Sequence, residues 1–321
     1  MREEILTSSS DSQFLYRNRP KNEKNIDDGF KNLAIAMASM VAIILFGIFL
    51  IVFVGSIDSI EKYGLKFLYI SDWDPVNDSY GAFTAIYGTI VTSLSAVLIA
   101  VPIAICTAIL LTEDIINKKI RIIISSMIEL LAAIPSVVLG LWAIFILEPF
   151  IRPILLLINK NFGWIPLFST PPIGPGIMPA ILILVIMILP IITSISKDSI
   201  NQVPKKLREA AYGIGSTRWI TILNVVLPAA ISGIAGGVLL ALGRALGETM
   251  AVTMIIGNSN NFSFSLFSPG NTISSLLANQ FGEADGGQVS SLMYASLILM
   301  LITLLVNLLA QWIVQKLSLR Y

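Results

Sequence analysis

Long apolar runs separated by short polar segments dominate the chain, and they set its architecture before any motif is considered. A membrane-crossing helix needs about 20 apolar residues. Six stretches reach that length: Leu33–Val54, Ala82–Leu111, Ile122–Leu147, Ile177–Ile195, Pro228–Gly257 and Ser291–Gln315. The pattern predicts an all-α integral membrane protein of about six transmembrane helices. A polar tail of mixed charge, residues 1–32, precedes a transmembrane domain over 33–321. The first apolar run is too long for a signal-peptide core of roughly 7–15 residues, so it reads as a retained span. Phe150–Ile158 is apolar but too short to cross, which suggests a re-entrant or interfacial segment. Pro102, Pro135 and Pro190 fall inside spans and predict kinks, which membrane helices tolerate.

Charge orients these spans. With the N-terminus cytoplasmic, sixteen of the 21 Lys and Arg lie on inner segments and four on outer loops, Lys62, Lys66, Arg152 and Lys160, with Arg244 left inside a span. That asymmetry places both termini in the cytoplasm. Composition narrows the chemistry further. Only 13% of residues are charged and 55% are hydrophobic, against about 25% charged in a soluble domain, so much of the surface must face lipid. No basic stripe points to nucleic acid. The single cysteine, Cys106, excludes a disulfide framework, and the absence of histidine removes His-based metal sites and a Ser–His–Asp triad. No metal site and no catalytic set emerges.

Two charged segments remain. The first is the cytoplasmic loop at about 204–228. Pro204 suits a first helical turn. Leu207, Ala210 and Ala211 then share a face, Gly213 and Gly215 break the helix, and Trp219, Ile222, Leu223 and Val226 restart an apolar face. Two short helices meeting at a glycine turn are expected. The second segment is Gly243-Arg244-Ala245-Leu246-Gly247-Glu248-Thr249, inside the fifth span. A charge there costs about 2.5–3.5 kcal/mol on the insertion scale. Arg244 and Glu248 stand at i, i+4 and can pair on a helix. They serve either as a structural ion pair locking this helix to a neighbour, or as an anion site in which Arg244 supplies a planar donor fork. Gly233, Gly237, Gly243 and Gly247 form two GxxxG spacings, which favour close helix contact.

Both segments carry a resemblance. Glu209-Ala210-Ala211, then Gly215, Val225 and Leu227-Pro228, resembles the EAA loop of ABC importer permeases, with Val225 where the family usually has Ile. Ala241–Val252 around Arg244, Ile128–Trp142 in the third predicted span, Trp73–Val76, Tyr80–Phe83 and Ile86–Thr89 together resemble the PstC family of phosphate permease subunits. The resemblance runs from about residue 30 to the C-terminus. It implies the type I (MetI-like) importer fold and alternating-access transport of inorganic phosphate. The implied assembly is a heterodimer with a PstA-like permease, two copies of an ATPase subunit and an extracytoplasmic phosphate-binding protein, all around membrane lipid. ATP and Mg would be bound by the ATPase, since no GxxxxGK[ST] loop occurs here and this chain needs no cofactor. On this reading Arg244, Glu248 and Thr249 belong to the substrate pathway. Glu209, Ala210, Ala211 and Gly215 couple to the ATPase, and Glu129, Pro135 and Ser136 are a candidate gate or hinge. Three alternatives stand beside it: a permease for sulfate or molybdate, an ion-coupled secondary transporter, and a sensory membrane protein. A membrane enzyme has no nucleophile–base set to work with.

Overall fold

The computed structural model describes residues 21–113 and 115–318, with side chains over 25–113 and 115–316. Most of the expected polar tail, including Arg2, Arg17 and Arg19, lies outside the described residues, as does Arg320. The chain divides into two compact units at Val54/Gly55. The first unit is described by one helix, α1 (Lys21–Gly55), which begins twelve residues before the apolar run that predicted it. Its apolar side chains, such as Ile43, Ile51 and Val54, are exposed, as a lipid-facing helix requires.

The second unit starts with a short helix, α2 (Ile57–Tyr63), a 3-10 turn and a small hairpin in which β1 (Trp73–Asp74) pairs with β2 (Ser79–Tyr80) in the register Trp73↔Tyr80. Then come α3 (Phe83–Thr112), α4 (Lys118–Ala133), α5 (Ser136–Phe162), α6 (Ile177–Asn201), α7 (Lys205–Gly213), α8 (Arg218–Gly247), α9 (Met250–Ile255), α10 (Ile273–Gln280) and α11 (Gly286–Ser318). Six of these helices are long and apolar enough to cross a membrane: α1, α3, α5, α6, α8 and α11.

α6 is the centre of this unit. Ala96, Ala100 and Ala104 of α3 and Ala180, Leu184, Ile188 and Ile192 of α6 recur at i, i+4 and are fully buried in one core. Small residues on one helix against large ones on the other let the backbones approach without voids. On the α8 side the first GxxxG spacing does the same work. A Cβ on Gly237 would stand 3.0 Å from the Ile195 Cβ, and one on Gly233 would collide with the Ser199 hydroxyl.

At one end of the bundle, the loop over residues 256–272 closes the start of α6. Its carbonyls, with that of Ile255, accept from the orphan first-turn amides: Gly176 N–H donates to Ile255 O (2.9 Å), Ile177 N–H to Ser268 O (3.1 Å) and Met178 N–H to Leu266 O (2.7 Å). The loop crosses α3 at Gly88, where any Cβ would overlap the Asn271 carbonyl. It leads into α10 through a reciprocal cap between Thr272 and Ser275. Phe67, Trp73 and Tyr80 are buried beside Tyr294 of α11, so the hairpin is packed onto the bundle at this same end.

Two predicted spans differ from the observed helices. The stretch Ile122–Leu147 is not one helix. Ile134 (φ −68°, ψ 128°) and Pro135 (φ −59°, ψ 139°) are both extended, so the chain breaks there rather than kinks. A residue before proline is driven out of the helical region, which accounts for Ile134. The apolar helix is instead Ser136–Phe162, and it absorbs the Phe150–Ile158 segment expected to be re-entrant or interfacial. Glu148 and Arg152 read as the end of a span, with Arg152 in an outer loop. In the structure they neutralise each other within α5 through a two-bond fork at 2.7 and 2.8 Å. The other difference is at the fifth span. Its helix starts ten residues earlier than Pro228, at Arg218, and ends at Gly247 rather than Gly257. Both α5 and α8 contain one π turn, Ala143–Leu147 and Ile222–Val226. Each lies just ahead of a proline, Pro149 or Pro228, and the wider turn relieves the clash of the ring with the preceding turn.

Candidate substrate pathway and coupling elbow

Arg244 lies in the last turn of α8, exposed, and makes no hydrogen bond or ion pair among the described residues. The expected pairing with Glu248 is not formed. The helix ends at Gly247 and Glu248 is extended (φ −68°, ψ 126°), so the i, i+4 geometry is lost. Glu248 instead turns to the next helix, where its Oε1 accepts from the Ala251 amide at 3.4 Å at the start of α9. A carboxylate is favoured there by the helix dipole. Thr249 bridges the break, its hydroxyl donating to the Gly247 carbonyl (3.2 Å) and its carbonyl accepting from the Thr253 hydroxyl (2.7 Å). The second GxxxG spacing is not used inside this chain. Cβ atoms on Gly236, Gly243 or Gly247 would meet nothing within 4 Å. With exposed Leu240, these glycines leave an open strip of α8 around the guanidinium.

α9 packs on α5 at Gly140. A Cβ there would stand 3.1 Å from the Ala251 Cα and 2.8 Å from the Met254 Sδ. The break at Ile134–Pro135 lies five residues before Gly140 in the chain, and the break at Glu248–Thr249 two residues before Ala251. Pro135 is exposed and Ser136 half-buried in the first turn of α5. Glu129 lies further back on α4 and accepts from the Ser125 hydroxyl at 3.3 Å. Pro135 and Ser136 thus lead into the helix that packs on α9, the helix that Glu248 and Thr249 precede, while Glu129 bonds within α4.

At the opposite end of the bundle, α7 and α8 form an elbow. Gly215 sits at φ +84°, and the amides of Gly215 and Ser216 bond back to Tyr212 (2.9 Å) and Ala211 (3.1 Å). This is the Schellman end of a helix, whose left-handed position favours glycine. Ile214 is pushed outward, 85% exposed, and Glu209 and Ala210 are exposed with it, while Ala211 is buried against the bundle. Leu207 and Ala210 therefore do not share the buried face of Ala211, as their spacing predicted. Beyond the elbow Ile222 and Val226 are buried, and Trp219 and Leu223 are not.

The sequence gives no sign of what holds the elbow in place. Arg208 of α7 pairs with Glu113 at the end of α3 and donates to the Ile200 carbonyl of α6 at 2.9 Å. Glu113 is buried. Beside this pair opens a cleft of about 380 Å³ whose lining includes Glu209, Tyr212 and Arg218. The partner of Glu113 is 95 residues away in the chain, so no local pattern marks the pair.

Residues 100–320 match the family described as the binding-protein-dependent transport system inner membrane component. The chain is 46% identical over 291 residues to the phosphate transport system permease protein PstC of Mesorhizobium japonicum, covering 89% of each. It is 42% identical over 308 residues to the PstC of Xylella fastidiosa, covering 94% of each. The chain belongs to the PstC family of inner-membrane permeases. This PstC-family fold is also that of solved importers. A bacterial alginate ABC transporter in complex with its pentasaccharide-bound periplasmic protein gives a TM-score of 0.61 at 17% identity, over 91% of this chain and 97% of that one. The MetNI methionine ABC transporter in an inward-facing conformation gives 0.55 at 16% identity, over 73% and 94%. The PstC-family chain is therefore a multi-pass inner-membrane permease subunit of the MetI-like fold.

Proposed function

We propose that this chain is one transmembrane half of an ATP-driven importer for inorganic phosphate. The observation that carries this reading is Arg244: an unpaired guanidinium on an open helix strip, beside a helix break, in a chain of the PstC family. A permanent charge in a membrane helix is costly unless it is paired or faces an aqueous path. An anion with oxygen acceptors repays it through two parallel hydrogen bonds. Glu248, close to Arg244 in the chain but not bonded to it, accepts the proton that phosphate keeps at neutral pH and sulfate lacks. Thr249 offers a hydroxyl in the same break. Glycines 236, 243 and 247 leave room for the substrate and for the facing helix of a second, PstA-like permease.

Both termini and the elbow are cytoplasmic in this reading, and the hairpin and the loop over residues 256–272 face outward. An extracytoplasmic phosphate-binding protein delivers the anion on that outer side. Two ATPase subunits, which bind ATP and Mg, engage the elbow through Glu209, Ala210 and the projecting Ile214, with Gly215 setting its angle. The motion passes through Arg208 and Glu113 to α3 and α6. The breaks at Ile134–Pro135, just before Ser136, and at Glu248–Thr249 are hinges at which the pathway switches between outward and inward access. This chain itself catalyses no reaction and holds no cofactor.

The test is uptake of labelled phosphate into proteoliposomes holding the chain with its second permease, ATPase and binding protein. The expected result is uptake that requires ATP and is not reduced by excess sulfate. ATP-independent uptake driven by an ion gradient would overturn the importer reading. ATP-dependent uptake blocked by sulfate would leave the machine standing and remove phosphate as its substrate.

A further inference from the structure

A second cation in the bundle has a setting that the pathway through Arg244 does not explain. Lys197 lies on α6, one turn before its end, and is partly buried. Its ammonium donates to the Ser125 hydroxyl of α4 at 2.9 Å. Among the described residues it forms no ion pair. The Ser125 hydroxyl lies 3.3 Å from the Glu129 carboxylate, so ammonium, hydroxyl and carboxylate form a row across α4 and α6. The neighbouring acid, Asp198, is exposed and forms no ion pair with this lysine among the described residues. An ammonium in such a setting forfeits hydration, and a single neutral hydroxyl repays little of it.

Two lines of geometry put this row on the continuation of the pathway. α6 and α8 run antiparallel, with Ile195 against Gly237 and Ser199 against Gly233. Counting from that crossing, Arg244 is seven residues one way and Lys197 two residues the other, about 13 Å along the helix axes at ~1.5 Å per residue. Independently, α4 leads back from the Ile134–Pro135 break, and Ser125 is nine residues from Ile134, again about 13 Å. α4 buries none of its residues fully, and Ser125 is half-buried.

We infer that Lys197 and Ser125 form a second station for the phosphate group of inorganic phosphate, on the cytoplasmic side of Arg244. The inference rests on the importer reading above. As the anion arrives, the ammonium and the Ser125 hydroxyl turn to it as donors, and Glu129 is left beside it without a donor. The repulsion keeps residence short, which conduction requires, since an anion held tightly at an exit is not released. Glu129 is thereby a positioning residue that acts through Ser125.

The test uses the reconstituted importer and initial rates of phosphate uptake. Lys197→Gln lowers uptake at least tenfold, and phosphate moved per ATP hydrolysed falls with it. Lys197→Arg keeps at least half, because the charge persists. Ser125→Ala loses about two- to threefold. Glu129→Gln lowers KM and kcat together, the signature of an anion that leaves slowly. Wild-type uptake that fails outright would count against the importer reading. Wild-type uptake matched by Lys197→Gln would overturn the station alone. So would Ser125→Ala as damaging as Lys197→Gln, or failure of Lys197→Arg to rescue, either of which makes the lysine a tie between α4 and α6. The same assays are run in phosphatidylcholine vesicles with and without phosphatidylglycerol. A Lys197→Gln defect confined to the phosphatidylglycerol vesicles would assign the lysine to a lipid phosphate and overturn the proposal, whereas the same defect in both supports it.

Discussion

Gly140 of α5 and Ala251 of α9 are in backbone contact, with only 3.1 Å between a Cβ built on Gly140 and the Ala251 Cα. Each helix breaks a few residues before this contact, at Ile134–Pro135 and at Glu248–Thr249. Gly140→Val inserts a branched side chain where the neighbouring atom is backbone and cannot rotate away. Overpacking of this kind costs about 1–3 kcal/mol. The expected outcome is a lower melting temperature of the purified permease and a marked loss of uptake. Wild-type stability and uptake in Gly140→Val would mean that α9 is free to move off α5.

The Glu113–Arg208 pair makes a different kind of prediction. Removing one member of a buried pair costs about 3–5 kcal/mol, because the other charge stays behind, while replacing both with apolar residues of similar size is often tolerated. Arg208 is partly accessible to water, 20% exposed against 8% for Glu113, which puts the expected loss for Glu113→Gln at the low end or below it. The double substitution Glu113→Leu with Arg208→Met should melt closer to wild type than either single change. A double-mutant cycle on melting temperatures measures this, and additive losses would show that the two side chains do not depend on each other.

At the elbow, Gly215 holds a left-handed backbone position, so Gly215→Ala costs about 1 kcal/mol locally and tilts α7 against α8. Ile214→Ser leaves the turn intact and removes the projecting apolar side chain. Both should weaken co-purification of the ATPase, and Glu209→Lys should do so with the fold intact by circular dichroism. Undiminished ATPase capture by all three would remove the elbow from the coupling route.

How far the sequence carried can be judged residue by residue. The six apolar helices, the two-helix elbow and its glycine turn follow from local pattern and turn chemistry. The extents of the third and fifth helices did not. Glu148 and Arg152 resemble a loop in a hydropathy pattern, and only their mutual fork, which needs the helix to exist first, makes them acceptable inside it. Arg244 and Glu248 look like a helical pair because four residues separate them, yet the backbone leaves the helix between them to start α9 against Gly140. Lys197 and Glu113 gave no local signal at all. Their partners, Ser125 and Arg208, are 72 and 95 residues away, and only the packing of α4, α6 and α7 brings them together.

The most direct test of the central claim is phosphate uptake by Arg244→Ala in the assembled importer, with assembly checked by co-purification of all subunits. Arg244 makes no hydrogen bond or ion pair among the described residues, so its removal should leave the fold intact while uptake falls to background, and Arg244→Lys, which keeps the charge but loses the planar fork, should recover only part of it. Near-normal uptake by an intact Arg244→Ala complex would show that the guanidinium on the open strip of α8 has no part in moving the anion.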